Sequence, residues 1–519
     1  MPSKIITNAP GVYVLERIDK TFKTGGGPLV ASTVTIAKKG LPGIVHKLTM
    51  DNWMEITGGP LHKKTAGMEG LRHVNDALPY CSYINWIRVM AADAKFPSMT
   101  LKLADAAITK AGHAYGTVLT VGEGFIFQIW MNDGHNGLNR GLLIRNIDDT
   151  TERFNLVVTE TVDGVTTEIA DYLVGVDPDD KDDMGAPAYI ETVLATGGIL
   201  QCDYNEVYTY TEIKAKLTGF ATAQAFTGGL DGGAPTEAEW KTAWDNYREE
   251  TTPNMFFFAA GNYDTAVLTN CFAIADLRQN QFFYDLPPTG TPAACITWMT
   301  AFGQDSPQAA AYYCPWAAED SFSGGKAVWG ASGEAVAAMA KGWIKYTGNI
   351  PGVHYAPAGS DRARFGRTNA VRLLADRINR DDFVASRINP VVASDSGGIA
   401  IDDAISTHFK ENYSRFIWVN SIFNYIVRRF LQAAAAVKFE PSGITVDILN
   451  KLVTEIWGIM GTPMILCVKL KGDERVLGDS DFVENILNAA GEALEERYEL
   501  KASGYDFDWR FPGLLRRWT

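Results

Sequence analysis

The sequence predicts a multidomain mixed α/β protein, with a β-rich domain inserted into it and strand-like segments at both ends. Three observations lead there. The chain has 519 residues and 56.8 kDa, beyond what one core of ordinary size accommodates. Short runs of β-formers interleave with segments of helical periodicity. The acid excess is concentrated in one place: residues 101–210 hold 18 Asp and Glu against 6 Lys and Arg, a net of −12, so the rest of the chain carries only −2 of the total −14.

In chain order, Gly11-Val-Tyr-Val-Leu-Glu-Arg-Ile18 has alternating β-formers after Ala9-Pro10, and Gly25-Gly-Gly27 follows as a flexible link. The acidic stretch then turns to strands at 117–121, 125–130, 141–146 and 154–160, separated by turn signals such as Asn132-Asp-Gly134 and Asp163-Gly164. Such a unit is an inserted β-domain whose negative field suits a solvated outer face. Thr236 followed by Glu239 is a capping box opening a helix through Trp240, Trp244 and Tyr247. From Ser406 to Ala436, Phe409, Phe416, Phe423, Ile426, Val427, Phe430 and Leu431 recur at helical spacings. Pro441-Ser-Gly443 closes that helix, 446–459 forms a second one, and 463–470 is a buried strand candidate. At the far end, residues 505–511 place Tyr505, Phe507, Trp509 and Phe511 on one face and Asp506, Asp508 and Arg510 on the other, the pattern of a half-buried strand.

Several function classes lose support from composition and motif. A pI near 5.1 argues against a nucleic-acid binder. No apolar run reaches the ~18–20 residues a membrane span needs. The start lacks a basic-then-apolar leader, so synthesis in the cytoplasm is expected. Six cysteines stand singly, which reads as free buried thiols and not as a disulfide frame or zinc site. Gly324-Gly-Lys326-Ala327 lacks the leading Gly and the hydroxyl of a P-loop, and Gly122-Glu-Gly124 lacks the third Gly of a dinucleotide fingerprint. Gly330-Ala-Ser332-Gly333-Glu334 fails the nucleophile-elbow pattern at its last position. The seven His are dispersed, and Asp177-Pro-Asp-Asp-Lys-Asp-Asp183 puts Lys181 where a calcium loop needs an oxygen ligand, so it reads as a solvated acidic loop. No catalytic, cofactor-binding or metal-binding residues are therefore assigned. An acidic carbohydrate-active hydrolase stays as the rival, because 13 Trp and many carboxylates suit one.

The two ends carry the functional signal. Burying four aromatics contributes roughly 10 kcal/mol, and five or six strand hydrogen bonds about 5. Fixing seven residues costs about 7–14 in backbone entropy. A single tail orders weakly, whereas many engaged together reinforce one another. Two readings stand side by side: strand addition to a neighbouring copy, or an edge strand paired within its own chain.

Several segments resemble the sheath proteins of contractile phage tails and related injection machines. They are Pro10-Gly-Val-Tyr-Val-Leu-Glu16, Gly228-Gly-Leu-Asp-Gly232, Cys271-Phe-Ala-Ile-Ala-Asp276 (similar to a strand ending in Asp), Tyr312-Tyr-Cys-Pro-Trp316, Ala356-Pro-Ala-Gly359, Ile388-Asn-Pro390, Phe423-Asn-Tyr-Ile426 and Phe439-Glu-Pro-Ser442. Each is weak alone, but they follow the family's order over most of the chain. The sequence departs from the family at Asn420-Ser421, where the family has paired Arg, at Ser442, and over the last fifty residues.

The resemblance implies a tube-proximal domain built from both chain ends, a middle α/β domain, an outer variable β-domain and extended arms. It divides the chain into an N-terminal arm at 1–24, a middle domain at 25–100 and 205–370, the acidic insert at 101–204, a tube-proximal domain at 371–500 and a C-terminal arm at 501–519. It also implies a non-enzymatic, cofactor-free subunit of six-membered rings stacked around an inner tube in a virion tail. Its partners would be itself, the tube protein, and baseplate and terminator proteins, with no nucleic acid and no membrane insertion. Val12, Tyr13, Val14 and Leu15, with Tyr505, Phe507, Trp509 and Phe511, would be the exchanged strands. Lys410, Arg415, Arg428 and Arg429 would face the tube, or else the arginines meet their own helix dipole. Another tail component, such as a baseplate or tube protein, is the nearer alternative.

Overall fold

The computed structural model describes residues 29–425, apart from 105–106, 115–123, 132–138, 250–254, 345–352, 354, 375, 395–396 and 411–412. The expected terminal strands, the 117–121 run, the 446–459 helix, the 463–470 strand, Cys467, Arg428 and Arg429 lie outside these residues.

The first strands and helices are β1 (Val30–Thr35), β2 (His46–Leu48), α1 (Trp53–Thr57), α2 (Gly70–Ala77) and β3 (Tyr83–Arg88). The insert follows with β4 (Lys95–Lys102), β5 (Ile108–Ala114), β6 (Phe125–Met131), β7 (Arg140–Asp148), β8 (Arg153–Val162), β9 (Val165–Gly175), α3 (Ile190–Gly197), β10 (Leu200–Tyr204), α4 (Tyr210–Leu217) and β11 (Gln224–Ala225). The chain then returns through α5 (Glu237–Asp245), β12 (Phe256–Phe258), α6 (Thr265–Arg278), β13 (Gln281–Asp285), α7 (Pro292–Phe302) and β14 (Ala309–Tyr313). It continues with β15 (Trp316–Glu319), β16 (Lys326–Val328), α8 (Ser332–Ile344), β17 (Val371–Arg372), α9 (Arg380–Ala385), β18 (Ile388–Ala393) and β19 (Ile399–Ile401).

An eight-stranded sheet ordered β19-β18-β14-β13-β12-β1-β3-β2 forms the centre, parallel from β3 to β18 with an antiparallel strand at each side. Its inner strands, such as Phe-Phe-Phe at 256–258 and Gln-Phe-Phe-Tyr-Asp at 281–285, are buried on both faces, which is why they read as unbroken apolar runs. Phe256, Phe258, Phe283 and Tyr312 pack on one side with residues of α2 and α8. Phe257, Phe282, Tyr284 and Tyr313 pack on the other with α5, α6 and α7. The result is a sheet between two helical layers, the mixed α/β class expected.

The insert pairs two antiparallel four-stranded sheets, β10-β6-β4-β5 and β11-β7-β8-β9, over a core that includes Met99, Phe127, Leu142, Phe154, Leu156 and Val158. Asp163 and Gly164 take φ of 51° and 80° at the β8–β9 turn, the left-handed pair that a tight hairpin requires. The insert joins the body where Lys95 and Leu230 exchange backbone hydrogen bonds of 2.8 Å in both directions. Gly228, in the Gly-Gly-Leu-Asp-Gly segment, sits so close to β5 that an added Cβ would lie 2.5 Å from the Ala111 carbonyl carbon. Two of these sheets run past the expected limits: β4 starts before 101 and β11 ends after 204, while β18 and β19 hydrogen-bond into the central sheet beyond 370.

Two expectations need correction. Residues 271–276 are not a strand but lie within α6, where Val267, Leu268, Cys271, Phe272, Ile274 and Ala275 form the buried face and Asp264 caps the start. The strand that ends in Asp is β13. The long helix expected from Ser406 starts only at 417. Before it, Ser406 N–H donates to the Arg415 carbonyl, Thr407 N–H donates to the Ala309 carbonyl, and Ile405 bridges Phe416, so the backbone is committed to long-range partners. The described part of this helix is docked through neutral groups at the positions departing from the family. Asn420 donates to the Pro307 and Ser414 carbonyls, Ser421 donates to Gln281, and Asn424 exchanges side-chain hydrogen bonds with Gln308.

Candidate functional site

Open parallel α/β sheets bind ligands at the carboxyl ends of their strands, where the strand order reverses. Here that point lies between β1 and β12, and a small crevice of about 190 Å³ opens there, lined by Thr35, Gly70, Trp240, Gly261 and Tyr263. Its floor is closed. A Cβ on Gly70 would sit 2.7 Å from Thr35 Cβ, a Cβ on Gly261 would sit 2.6 Å from Glu69 Cβ, and the Tyr263 hydroxyl donates to Glu69 at 2.7 Å.

Behind this crevice stand Ser332, His73 and Asp285, the residue types of a hydrolytic triad. Ser332 Oγ is 3.3 Å from His73 Nδ1, and His73 Nε2 is 3.6 Å from Asp285 Oδ2. All three are fully buried. The imidazole's Nδ1 lone pair also accepts from Gly333 N–H at 3.1 Å, which leaves the proton on Nε2. Asp285 instead does structural work. Alanine occupies the N-cap position of α8, which cannot cap, and Asp285 Oδ1 accepts from the Ala331 and Ser332 amides in its stead, with Glu69 taking the Gly330 amide at 3.0 Å. Burial pushes the Asp285 carboxyl above the usual aspartate range, against the pull of His73 and these donors. The arrangement is a helix cap supplied by a distant strand.

Gly333 belongs to it too, since a Cβ there would lie 2.3 Å from the His73 carbonyl oxygen. Gly333→Ala is expected to destabilise the protein by about 2–3 kcal/mol through overpacking, although Gly→Ala inside a helix normally gains about 0.5–1 kcal/mol. Thermal unfolding checks the sign.

A second buried network lies on the outer side of α2 and α8. Arg367 donates to Asp76 Oδ2 at 2.8 Å and to the Trp329 carbonyl at 2.9 Å, and its guanidinium stacks 4.2 Å over the Trp329 ring. Trp329 Nε1 donates to the same Asp76 oxygen. Arg72 donates to Asp320 and Ser323 and to the carbonyls of Leu61 and Met68. Burial works against ionisation of Asp320, but Arg72 holds its carboxyl below the usual range. Glu334 has no such close partner: Gly366 N–H donates to it at 3.1 Å, and Arg367 Nε stands 3.9 Å away. Burial, with Asp76 adding repulsion, pushes Glu334 up to about 8. These groups border an open cleft of about 500 Å³. They hold α8, the 319–329 hairpin and the 366–368 segment on α2.

The expected tube-facing residues are only partly placed. Lys410 is exposed on the loop before the 3-10 turn Tyr413–Arg415, and Arg415 is half-buried in that turn. Both stand ahead of the helix at 417 rather than within it. The buried clusters around His73 and Arg367 were not anticipated. The one sequence signal for the first was an Ala-Ser-Gly helix start without a capping residue. Among the described residues no group of three or more His, Cys, Asp or Glu side chains could hold a metal ion, and no helix is long and apolar enough to cross a membrane. Cys81, Cys202, Cys271, Cys295 and Cys314 are free and buried.

No family model and no curated protein matches the sequence. Solved structures do. A sheath tail protein from Desulfitobacterium hafniense aligns over 88% of this chain and 89% of its own at 17% identity and a TM-score of 0.46. One from Listeria innocua covers 84% and 86% at 10% identity and 0.49. The sheath complex of an extracellular contractile injection system, in its contracted state, covers 41% and 55% at 18% identity and 0.33.

Proposed function

We propose that this protein is the structural subunit of a contractile tail sheath, polymerising around an inner tube. The observation that carries the reading is the ordered series of family-like segments from Pro10 to Ser442. One feature of the described structure supports it over a hydrolase: the triad-like Asp285 and His73 are spent on the first amides of a helix.

In this reading the arms around Val12–Leu15 and Tyr505–Phe511 add strands to sheets of neighbouring copies. The acidic insert lies outermost, and Lys410, Arg415, Arg428 and Arg429 face the tube. Energy is stored as subunit contacts not yet made in a stretched lattice. A baseplate trigger releases it as rigid-body rotation of one ring after another, driving the tube through a host envelope for genome delivery. Assembly takes place in the host cytoplasm and the product resides in the virion tail, with no nucleotide, metal or catalytic step.

Negative-stain microscopy of the expressed protein tests this, with hollow cylinders as the expected result. Deleting residues 504–519 should leave a folded monomer that forms none. Cylinders of normal length after that deletion would reject the arm mechanism, and a monomeric, carbohydrate-cleaving product would reject the sheath.

A further inference from the structure

Exposed apolar side chains cluster on the segment 38–64, around α1. Ile44, Val45, Met50 and Met54 are 45, 36, 52 and 47% exposed. Within the segment, Lys38 and Lys39 border Gly58 at the end of α1, Met54 lies against Gly59, and Asn52 donates to the Lys47 carbonyl. Lys39, Ile44 and Glu55 line one wall of a cleft whose other wall is the insert, with Arg140, Glu160 and Ile169; Val45, Met50 and Met54 are not among its lining residues. Five lysines (38, 39, 47, 63 and 64) stand there against Asp51 and Glu55, a net of +3. Among the described residues Lys47 lies over the Tyr83 ring and Lys63 donates to the Gly324 carbonyl, and no carboxylate is paired with any of the five lysines. An apolar centre with a rim of net positive charge is a composition suited to a protein interface.

The insert carries a segment of opposite character. Residues 177–183 hold five Asp and one Lys, a net of −4. Met184 beside them is 94% exposed, the highest value among the exposed large apolar side chains described. The segment is anchored to the insert from outside the run of acids, by Arg153 holding Asp180 at 2.7 and 2.9 Å. Because the loop is already held in place, binding orders little additional backbone, and the cost falls on the Met184 side chain.

We infer that the lysine-rimmed apolar face of 38–64 receives the acidic segment 177–184 of a second copy, Met184 meeting Ile44, Val45, Met50 and Met54 while the aspartates meet the lysines. Charge complementarity selects this occupant. The two surfaces differ, so the contact is head-to-tail and repeats from copy to copy. It rests on the self-assembly reading above and gives the acidic insert a role within it.

The test uses the full chain. D179K/D183K/M184S should weaken copy-to-copy association at least ten-fold by sedimentation velocity, and mixing it with K38E/K47E/K64E should restore association. Chains carrying M184C mixed with chains carrying V45C should form a disulfide-linked dimer. If wild-type chains assemble, the charge variants assemble equally well and no cross-link forms, this interface is overturned and the sheath reading stands. If wild-type chains stay monomeric at every concentration and no cross-link forms, both are overturned.

Discussion

Arg367→Met should destabilise the protein by about 3–5 kcal/mol, the cost of leaving one member of a buried ion pair without its partner. Asp76 is nearly as buried as Arg367, with side-chain exposures of 9 and 2%. Removing the guanidinium leaves its carboxylate with the Trp329 indole as its one remaining neutral donor described here. The Trp329 and Gly330 carbonyls lose their donor at the same time. Arg367→Lys should recover only part of the loss, because an ammonium cannot bond Asp76 and both carbonyls while lying flat on Trp329. Urea unfolding measures both variants, and a loss below about 1 kcal/mol for the methionine variant would show that this network does not clamp the fold.

Stability should also fall as pH rises from about 5 to 9, and Glu334→Gln should flatten that fall. The sign follows from proton counting. Glu334 in the folded protein keeps its proton up to about 8, whereas in the unfolded chain it releases it near the usual glutamate value of about 4.3. Between these values the folded state holds the extra proton. Each pH unit therefore weakens the fold by roughly 1.4 kcal/mol at most, and the change ends above the folded value. Glutamine keeps the shape and an oxygen to accept the Gly366 amide, and it cannot ionise. Burial also raises Asp285, Asp276 and Asp402, which acts in the same direction, while burial lowers His46 and His113, which acts in the opposite direction below about 6.5, so the test is the difference between wild type and variant. Denaturant midpoints at pH 5.5, 7 and 8.5 decide it. Equal slopes for wild type and Glu334→Gln would contradict a buried Glu334 that keeps its proton in the folded state.

What the sequence made legible follows the range of the forces involved. The capping box at Thr236 and Glu239 forms as the four-residue spacing requires, with Glu239 accepting from Thr236 N–H. The Asp163-Gly164 turn and its flanking strands were equally local. The resemblance misled at 271–276, because the short apolar stretch before Asp276 carries no period of its own that separates strand from helix. The Asp264 cap, seven residues earlier, was the available discriminator. The 406–416 stretch has helical spacing, yet its amides bond to partners the spacing says nothing about. Arg72 meets Asp320 across 248 residues and Arg367 meets Asp76 across 291. No pattern in a single sequence announces such pairings, because they depend on the packing of α2 against α8.

The paired hydrogen bonds between Lys95 and Leu230 have a consequence for how this chain tolerates change. The polypeptide leaves the body and comes back to it at one spot, as two cords through a single eyelet. The insert meets the body again where Trp130 packs by Met90 and Ala94 and where Arg140, Glu160 and Ile169 share a cleft with Ile44 and Glu55; none of these named contacts is a hydrogen bond of the central sheet, so the insert can change size while that sheet keeps its register. A shortened chain bridging residues 94 and 231 with a glycine or two should fold its body unaided.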